Sequence, residues 1–176
     1  VGGGTEADWE GAARVRARYF TEPGPAATGI PLPRHARPGL MTKTDVMAML
    51  GEDGSRLLRR HSWPEGHWDW PIHLPYKHGV KCGNVICVGG QVSLTPGGEV
   101  IDPGNIPAQT RTSMANIAKV LAGLGAGLDD VVKVTAFYKG AASAEDLHAN
   151  LRIRSDSFRE PGPATTGIPL PYLAYE

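Results

Sequence analysis

Cysteine is almost missing from this chain: Cys82 and Cys87 are the only two among 176 residues. They stand five apart in "CGNVIC", and an odd separation along a strand points two side chains to opposite faces. A disulfide between them is therefore not expected. A reducing compartment, the cytoplasm, follows as the default, with core packing as the role of both sulfurs. Net charge is missing as well, since Lys plus Arg and Asp plus Glu each total 18. A neutral chain carries no electrostatic footprint for nucleic acid or for an anionic membrane surface. The basic runs Arg14–Arg18, Arg34–Arg37 and Arg56–Arg60 are short and read as solvated faces. No apolar run approaches the roughly 20 residues of a membrane span. A secretory signal is also lacking, because the N-terminus is glycine-rich rather than basic and then apolar. The first residue is Val1 and not methionine, which reads as a trimmed or processed start.

What the chain does have is a repetition. "EPGPAATGIPLP" (Glu22–Pro33) returns as "EPGPATTGIPLP" (Glu160–Pro171), differing only at Ala27 against Thr165. Sliding residues 1–38 onto 139–176, an offset of 138, needs no gap and makes 17 of 38 pairs identical. Among them are Asp8/Asp146, Arg14/Arg152, Arg16/Arg154 and Phe20/Phe158. A period of this size is that of a domain, too long for a solenoid unit of about 20–50 residues. The expected organisation is a window onto two tandem copies. Residues 1–50 would be the C-terminal part of a first copy, 51–70 a linker with a short helical patch, and 71–176 a second copy lacking its last strand.

Local patterns place the elements. Val80–Gly90 predicts two short strands around the Gly83-Asn84 turn, and "SLTPGGEVI" a further turn and strand. Asn105, just ahead of Ile106-Pro107, is a helix start, since proline is tolerated in a first turn. Met114, Ile117, Leu121 and Leu124 then recur at helical spacing until "GAG" at 125–127 ends the helix. Val131–Tyr138 is β-branched and aromatic and predicts a buried strand. Ala144–Phe158 predicts a second helix capped by Ser143. "ATTGIPLP" must be extended because its prolines forbid a helix. Alternation over Met41–Val46 predicts a terminal strand in 39–50, with residues 40–48 pairing with 26–33 within the chain or across a subunit boundary.

The stretches "LPYKHGVKCGNVICVGGQVSL", "GEVI", "QTRTSMANIAKVLAGLGAGLDDVVKVTAFY" and "FREPGPATTG" resemble the Rid family, the reactive-intermediate deaminases also called YjgF/YER057c/UK114. The resemblance covers 74–167, and 1–50 is similar to the family's last third. It implies a chorismate-mutase-like α+β fold, a mixed sheet with two helices on one face. It also implies a homotrimer or trimer-like assembly with ligand clefts between subunits, and neither a metal nor an organic cofactor. The chemistry it implies is hydrolysis of small imines and enamines to a carbonyl product and ammonia.

Carried over by motif, Tyr76 in "PYKHG" matches the family tyrosine. The family "SGQ" becomes "GGQ" (Gly89, Gly90, Gln91), so Gly89 replaces the serine. The carboxylate-binding arginine of "PAR(S/T)" becomes Thr165 in "PATTG" and Ala27 in the first copy. Phe137 on the strand before the second helix is expected to line the cleft with Gly89, Gln91 and Thr165. The last-strand acidic residue falls on Asp45, the candidate for orienting water beside Tyr76.

An arginine lost to threonine should weaken carboxylate binding about ten- to a hundredfold, which argues against the standard 2-imino acids. Arg152 and Arg154 stand at i and i+2, point to different helix faces, and are expected to be a solvated edge. His73 and His78 flank Tyr76 and read as loop or surface histidines. His67, Asp69 and His73 lack a fixed ligand spacing, so no metal site is expected. Trp63, Trp68 and Trp70 are expected to fasten the linker to a neighbouring surface. Two functions follow: a Rid-like hydrolytic deaminase, or a non-catalytic small-molecule-binding or scaffold member. Ribonuclease activity would need an aromatic–basic platform, which is missing.

Overall fold

The computed structural model describes residues 5–140 and 144–173. The first helix, α1 (Glu6–Ala17), begins at a capping box in which Thr5 and Asp8 satisfy each other's backbone N–H. It buries Trp9 and Ala13. The chain then runs without regular structure until β1 (Arg59–Ser62), which pairs antiparallel with β2 (Gly79–Cys82), itself paired with β3 (Val85–Val88). Gly83 turns the β2–β3 hairpin at φ 58°, a left-handed conformation that suits glycine. Helix α2 (Ile106–Ala122) starts where expected: the Asn105 side chain accepts from the Ala108 N–H, and proline lies in the first turn. It buries Met114, Val120 and Leu121, with Leu124 buried just past its end; Ile117 is half-buried. A 3-10 turn (Leu128–Asp130) leads to β4 (Lys133–Lys139), then α3 (Ala144–Ser155) and β5 (Ala164–Leu170).

Strands β4 and β5 pair in parallel, and α2 and α3 pack on one another. The strands lie in two sheets, ordered β1-β2-β3 and β4-β5. The "SLTPGGEVI" strand is reduced to a bridge between Leu94 and Val100. Ser143, the expected cap of α3, lies outside the described residues. Both cysteines are free and half-buried. No helix among the described residues is long and apolar enough to cross a membrane.

Two expectations are corrected. The stretch 51–70 contains no helix; it supplies β1, whose sequence "RRHS" is too polar for hydrophobic alternation to have marked it. Residues 41–49 form no strand, and within the chain nothing pairs 40–48 with 26–33. Val46 and Met47 are instead exposed. Alternation supplies one strand's side-chain pattern, but a ladder requires a partner edge.

Candidate functional site

Residues 24–28, which follow α1, are held against residues 75–90. The Gly24 N–H donates to the Pro75 carbonyl (2.8 Å), the Lys77 N–H to the Pro25 carbonyl (3.1 Å), and Ala26 bridges Lys77 in parallel. The Gly90 N–H donates to Thr28 Oγ1 (2.8 Å), and Lys77 Nζ pairs with Glu22 (2.9 Å). Two glycines permit this approach. A Cβ at Gly24 would stand 2.7 Å from the Pro75 carbonyl oxygen, and one at Gly89 would stand 2.8 Å from that of Ala27. At Gly89 the backbone of Ala27 thus occupies the space a side chain would need.

Tyr76 is buried where these segments meet, in a cluster with Ala13, Ile72 and Leu74, lined by Ala17, Ala27 and Trp70. Phe20 meets its ring edge-on, with centroids 6.0 Å apart. Burial pushes the Tyr76 phenol above its usual range, partly opposed by the positive charge of Arg16. At neutral pH this hydroxyl is a hydrogen-bond donor and not a base.

Beside Tyr76 lies a box of rings. His78, only 1% exposed, stacks on Trp70 (5.2 Å, 9°) and touches Trp63, Trp68 and His67 at 4.4–4.6 Å between centroids. The tryptophans expected to fasten a linker therefore enclose a histidine. Hydrogen bonds fix the tautomers. Trp68 Nε1–H can only donate, so the atom it meets, 3.2 Å away, is the Gln91 carbonyl oxygen. His67 Nε2 lies 2.8 Å from the same oxygen and must carry a proton. The Gln91 amide donates to the Gly89 carbonyl and to His78 Nδ1, and His78 Nε2–H donates to the Trp68 carbonyl. Burial, then the neighbouring His67, push His78 down to about 4, and burial lowers His67 too. Neither reads as a surface histidine. His73 does: it is exposed, 3.6 Å from Glu22. Among the described residues no group of three His, Cys, Asp or Glu could hold a metal ion.

The remaining expected site residues lie elsewhere. Thr165 and Phe137 stand on β5 and β4, and Thr165 accepts a hydrogen bond from Arg154 Nη1 (2.6 Å). Arg154 is 4% exposed; its Nε donates to Asn150 Oδ1 (2.7 Å), and Asn150 donates to Thr110 Oγ1 (2.9 Å). The expected solvated edge is thus overturned for Arg154, whose guanidinium stands against Thr165. Burial lowers its pKa. Asp45 is exposed and paired with Lys43 (3.2 Å), because no strand carries it to Tyr76. The structure brings together Tyr76, Gly89 and Gln91 with Ala27, the first-copy counterpart of Thr165. The sequence reading placed the crossing at Asp45 and missed that residues 24–28 make it. Asn150, four residues before Arg154 on the same helix face, was the available signal for the buried arginine.

Comparison with known proteins places this geometry. A family profile described as Endoribonuclease L-PSP matches residues 71–174. A RutC family protein of Pyrococcus abyssi is 36% identical over 94 residues, covering 53% of this chain and 72% of the relative. A 2-iminobutanoate/2-iminopropanoate deaminase of Escherichia coli is 39% identical over 66 residues, 37% of this chain and 50% of that protein. A solved structure from Thermotoga maritima superposes with a TM-score of 0.56 at 28% identity, covering 65% of this chain and 86% of that one. RidA of an Antarctic Psychrobacter reaches the same TM-score at 22% identity over 65% and 88% of the two chains, a likeness of fold alone.

Proposed function

This chain belongs to the endoribonuclease L-PSP family, the Rid or YjgF family, and from that premise we propose that it is a hydrolytic deaminase of small imines and enamines. Its cleft is composite: Tyr76 and the "GGQ" segment come from the second copy, and residues 22–28 from the tail of the first. One observation carries the reading. The tyrosine that matches the family's own is buried against Ala27, the position that corresponds by repeat to the family's carboxylate-binding arginine. In the resemblance, ligand clefts form between subunits. Here two copies within one chain meet in that manner, which also supports reading 1–50 as the end of a first copy and 71–176 as a second. A trimer-like homo-oligomer in a reducing compartment, the cytoplasm, completes the proposal.

In the reaction, water adds across the C=N bond, its hydroxyl to carbon and a proton to nitrogen; the C–N bond of the adduct then breaks as the hydroxyl proton passes to nitrogen, leaving the carbonyl product and ammonia. The protonated Tyr76 phenol suits donation to the substrate nitrogen or to the forming hydroxyl. Glu22, the acidic side chain bonded to Lys77, is held charged below the usual carboxylate range, chiefly by that hydrogen bond.

A second reading, a binding or scaffold member without turnover, is favoured by Gly89, where the family serine is absent and the Ala27 carbonyl fills its space. Ammonia release from 2-iminobutanoate and from a neutral imine, each generated in solution, separates the two. We expect turnover of at least one, reduced about ten- to a hundredfold in Tyr76→Phe. No turnover of either above background rejects the hydrolase, and tight binding of an unreacted ligand would then establish the alternative.

A further inference from the structure

A cavity of about 590 Å³ is lined by residues 33–41, a loop that shares no residue with the Tyr76 cluster or with the "GGQ" segment. The stem of this loop is fixed. Pro31 is buried, and the Tyr172 hydroxyl donates to the Leu32 carbonyl (3.4 Å). The loop itself is restrained. Pro33 and Pro38 restrict its backbone, Gly39 turns at φ 80°, and the Leu40 N–H closes that turn onto the Arg37 carbonyl (3.2 Å). A loop held in this way gives up little freedom when a ligand enters.

The lining is one-sided in charge. Arg34, His35 and Arg37 are its titratable groups, and it contains neither Asp nor Glu. Among the described residues none of the three side chains has a hydrogen bond or an ion pair. Asp45, the next carboxylate along the chain, is taken by Lys43 (3.2 Å). His35 Nε2 is moreover buried without a partner, and a buried ring nitrogen in that condition calls for one. The repeat adds an independent observation. At the offset of 138 the match through "GIPLP" ends at this loop, where Arg34, His35 and Arg37 correspond to Tyr172, Leu173 and Tyr175. The extended "GIPLP" segment therefore does not itself require a basic loop after it. The rest of the lining is apolar and includes Leu40 and Met41, both about half exposed.

We propose that loop 33–41 is a binding site for a small phosphate monoester with an apolar body. Two guanidiniums match the two charges of such a phosphate, and each offers its oxygens a planar fork of N–H donors. His35 supplies a further donor in the tautomer that carries its proton on Nε2. Leu40 and Met41, with Pro33 and Pro38, cover the body of the ligand. The volume is that of a small-molecule site, which runs to about 300–1,000 Å³. A carboxylate would leave one guanidinium without a counter-charge. Nucleic acid fits less well, because the lining has no aromatic ring on which a base could stack. The site stands whether or not the Tyr76 cleft is that of a deaminase.

Calorimetry of the full chain with phenyl phosphate, phenol and inorganic phosphate tests the site. Phenyl phosphate is expected to bind, phenol about tenfold more weakly or worse, and inorganic phosphate several-fold more weakly. Arg34→Gln and Arg37→Gln should each weaken phenyl phosphate about ten- to a hundredfold. Both arginines are exposed, so neither change touches the core. Arg14→Gln, an exposed arginine paired with Glu10, should bind as the parent does. In nuclear magnetic resonance spectra the ligand should shift the His35 ring signals and leave those of His73 in place. No binding of phenyl phosphate at millimolar concentration, equal affinity for phenol, or parent affinity in both arginine variants overturns the proposal. Inorganic phosphate bound as tightly as phenyl phosphate would overturn the apolar body. An RNA oligonucleotide that binds more tightly, and through Arg34, would overturn the small-molecule ligand.

Discussion

Lowering the pH from 7 to 5 should loosen this fold chiefly through one imidazole. His78 has no room for a charge: its ring is enclosed by Trp63, Trp68, Trp70 and His67, and both nitrogens are committed to hydrogen bonds that fit the neutral form. In the folded state its pKa falls from an ordinary 6.5 to about 4, mainly by burial. Unfolded, the residue takes up its proton near 6.5, so between these values the unfolded chain binds more protons and acid favours unfolding. Linkage over that window gives a loss of about 2 kcal/mol between pH 7 and 5, approaching roughly 3 kcal/mol by pH 4. His67 is shifted in the same direction by burial and adds to the slope. Urea unfolding followed by tryptophan fluorescence at pH 7, 6 and 5 measures it, since the reporting indoles line the box. His78→Gln should be less stable at pH 7 but lose most of the pH dependence. A parent stability that is flat or rises toward pH 5 would refute the reasoning. So would a variant with the parent's slope.

Two further outcomes follow from the same coordinates. Gly89→Ser adds a Cβ that would meet a backbone oxygen at 2.8 Å, and that oxygen cannot rotate away. We expect about 1–3 kcal/mol of destabilisation, with faster hydrogen exchange of the Gly90 amide as residues 24–28 lift. Unchanged exchange would mean that this segment yields easily. Asn150→Ala removes the acceptor of Arg154 Nε and the donor to Thr110, at bonds of 2.7 and 2.9 Å. Leaving a buried guanidinium short of an acceptor should cost about 2–4 kcal/mol in denaturant unfolding, and a loss under 1 kcal/mol would show that water replaces it.

Much of the fold was legible because its signals are local. Asn105 with Pro107 marks the start of α2, Gly83-Asn84 marks the hairpin, and proline in "ATTGIPLP" forces the extended conformation of β5. The polar β1 was not legible, since it is a strand only through its pairing with β2. Residues 40–48 failed in the opposite way: they carry a strand's alternation without a partner edge in this chain. Of the candidate site, Tyr76, Gly89 and Gln91 could be found from motifs. For Arg154 the local signal was Asn150 one turn earlier, and His78 had none, because local spacing says which way a side chain leaves its helix or strand and not what covers it.

The sequence by itself determined the duplication, the main helices and strands, and the family, since each depends on residue order alone. Only the tertiary structure decided which segments meet: residues 24–27 lie against Pro75–Lys77, and Thr165 lies against Arg154. Burial is the physical reason. Whether a charge is solvated or tied to a neighbour depends on surfaces that come together from distant parts of the chain, which residue order alone does not specify.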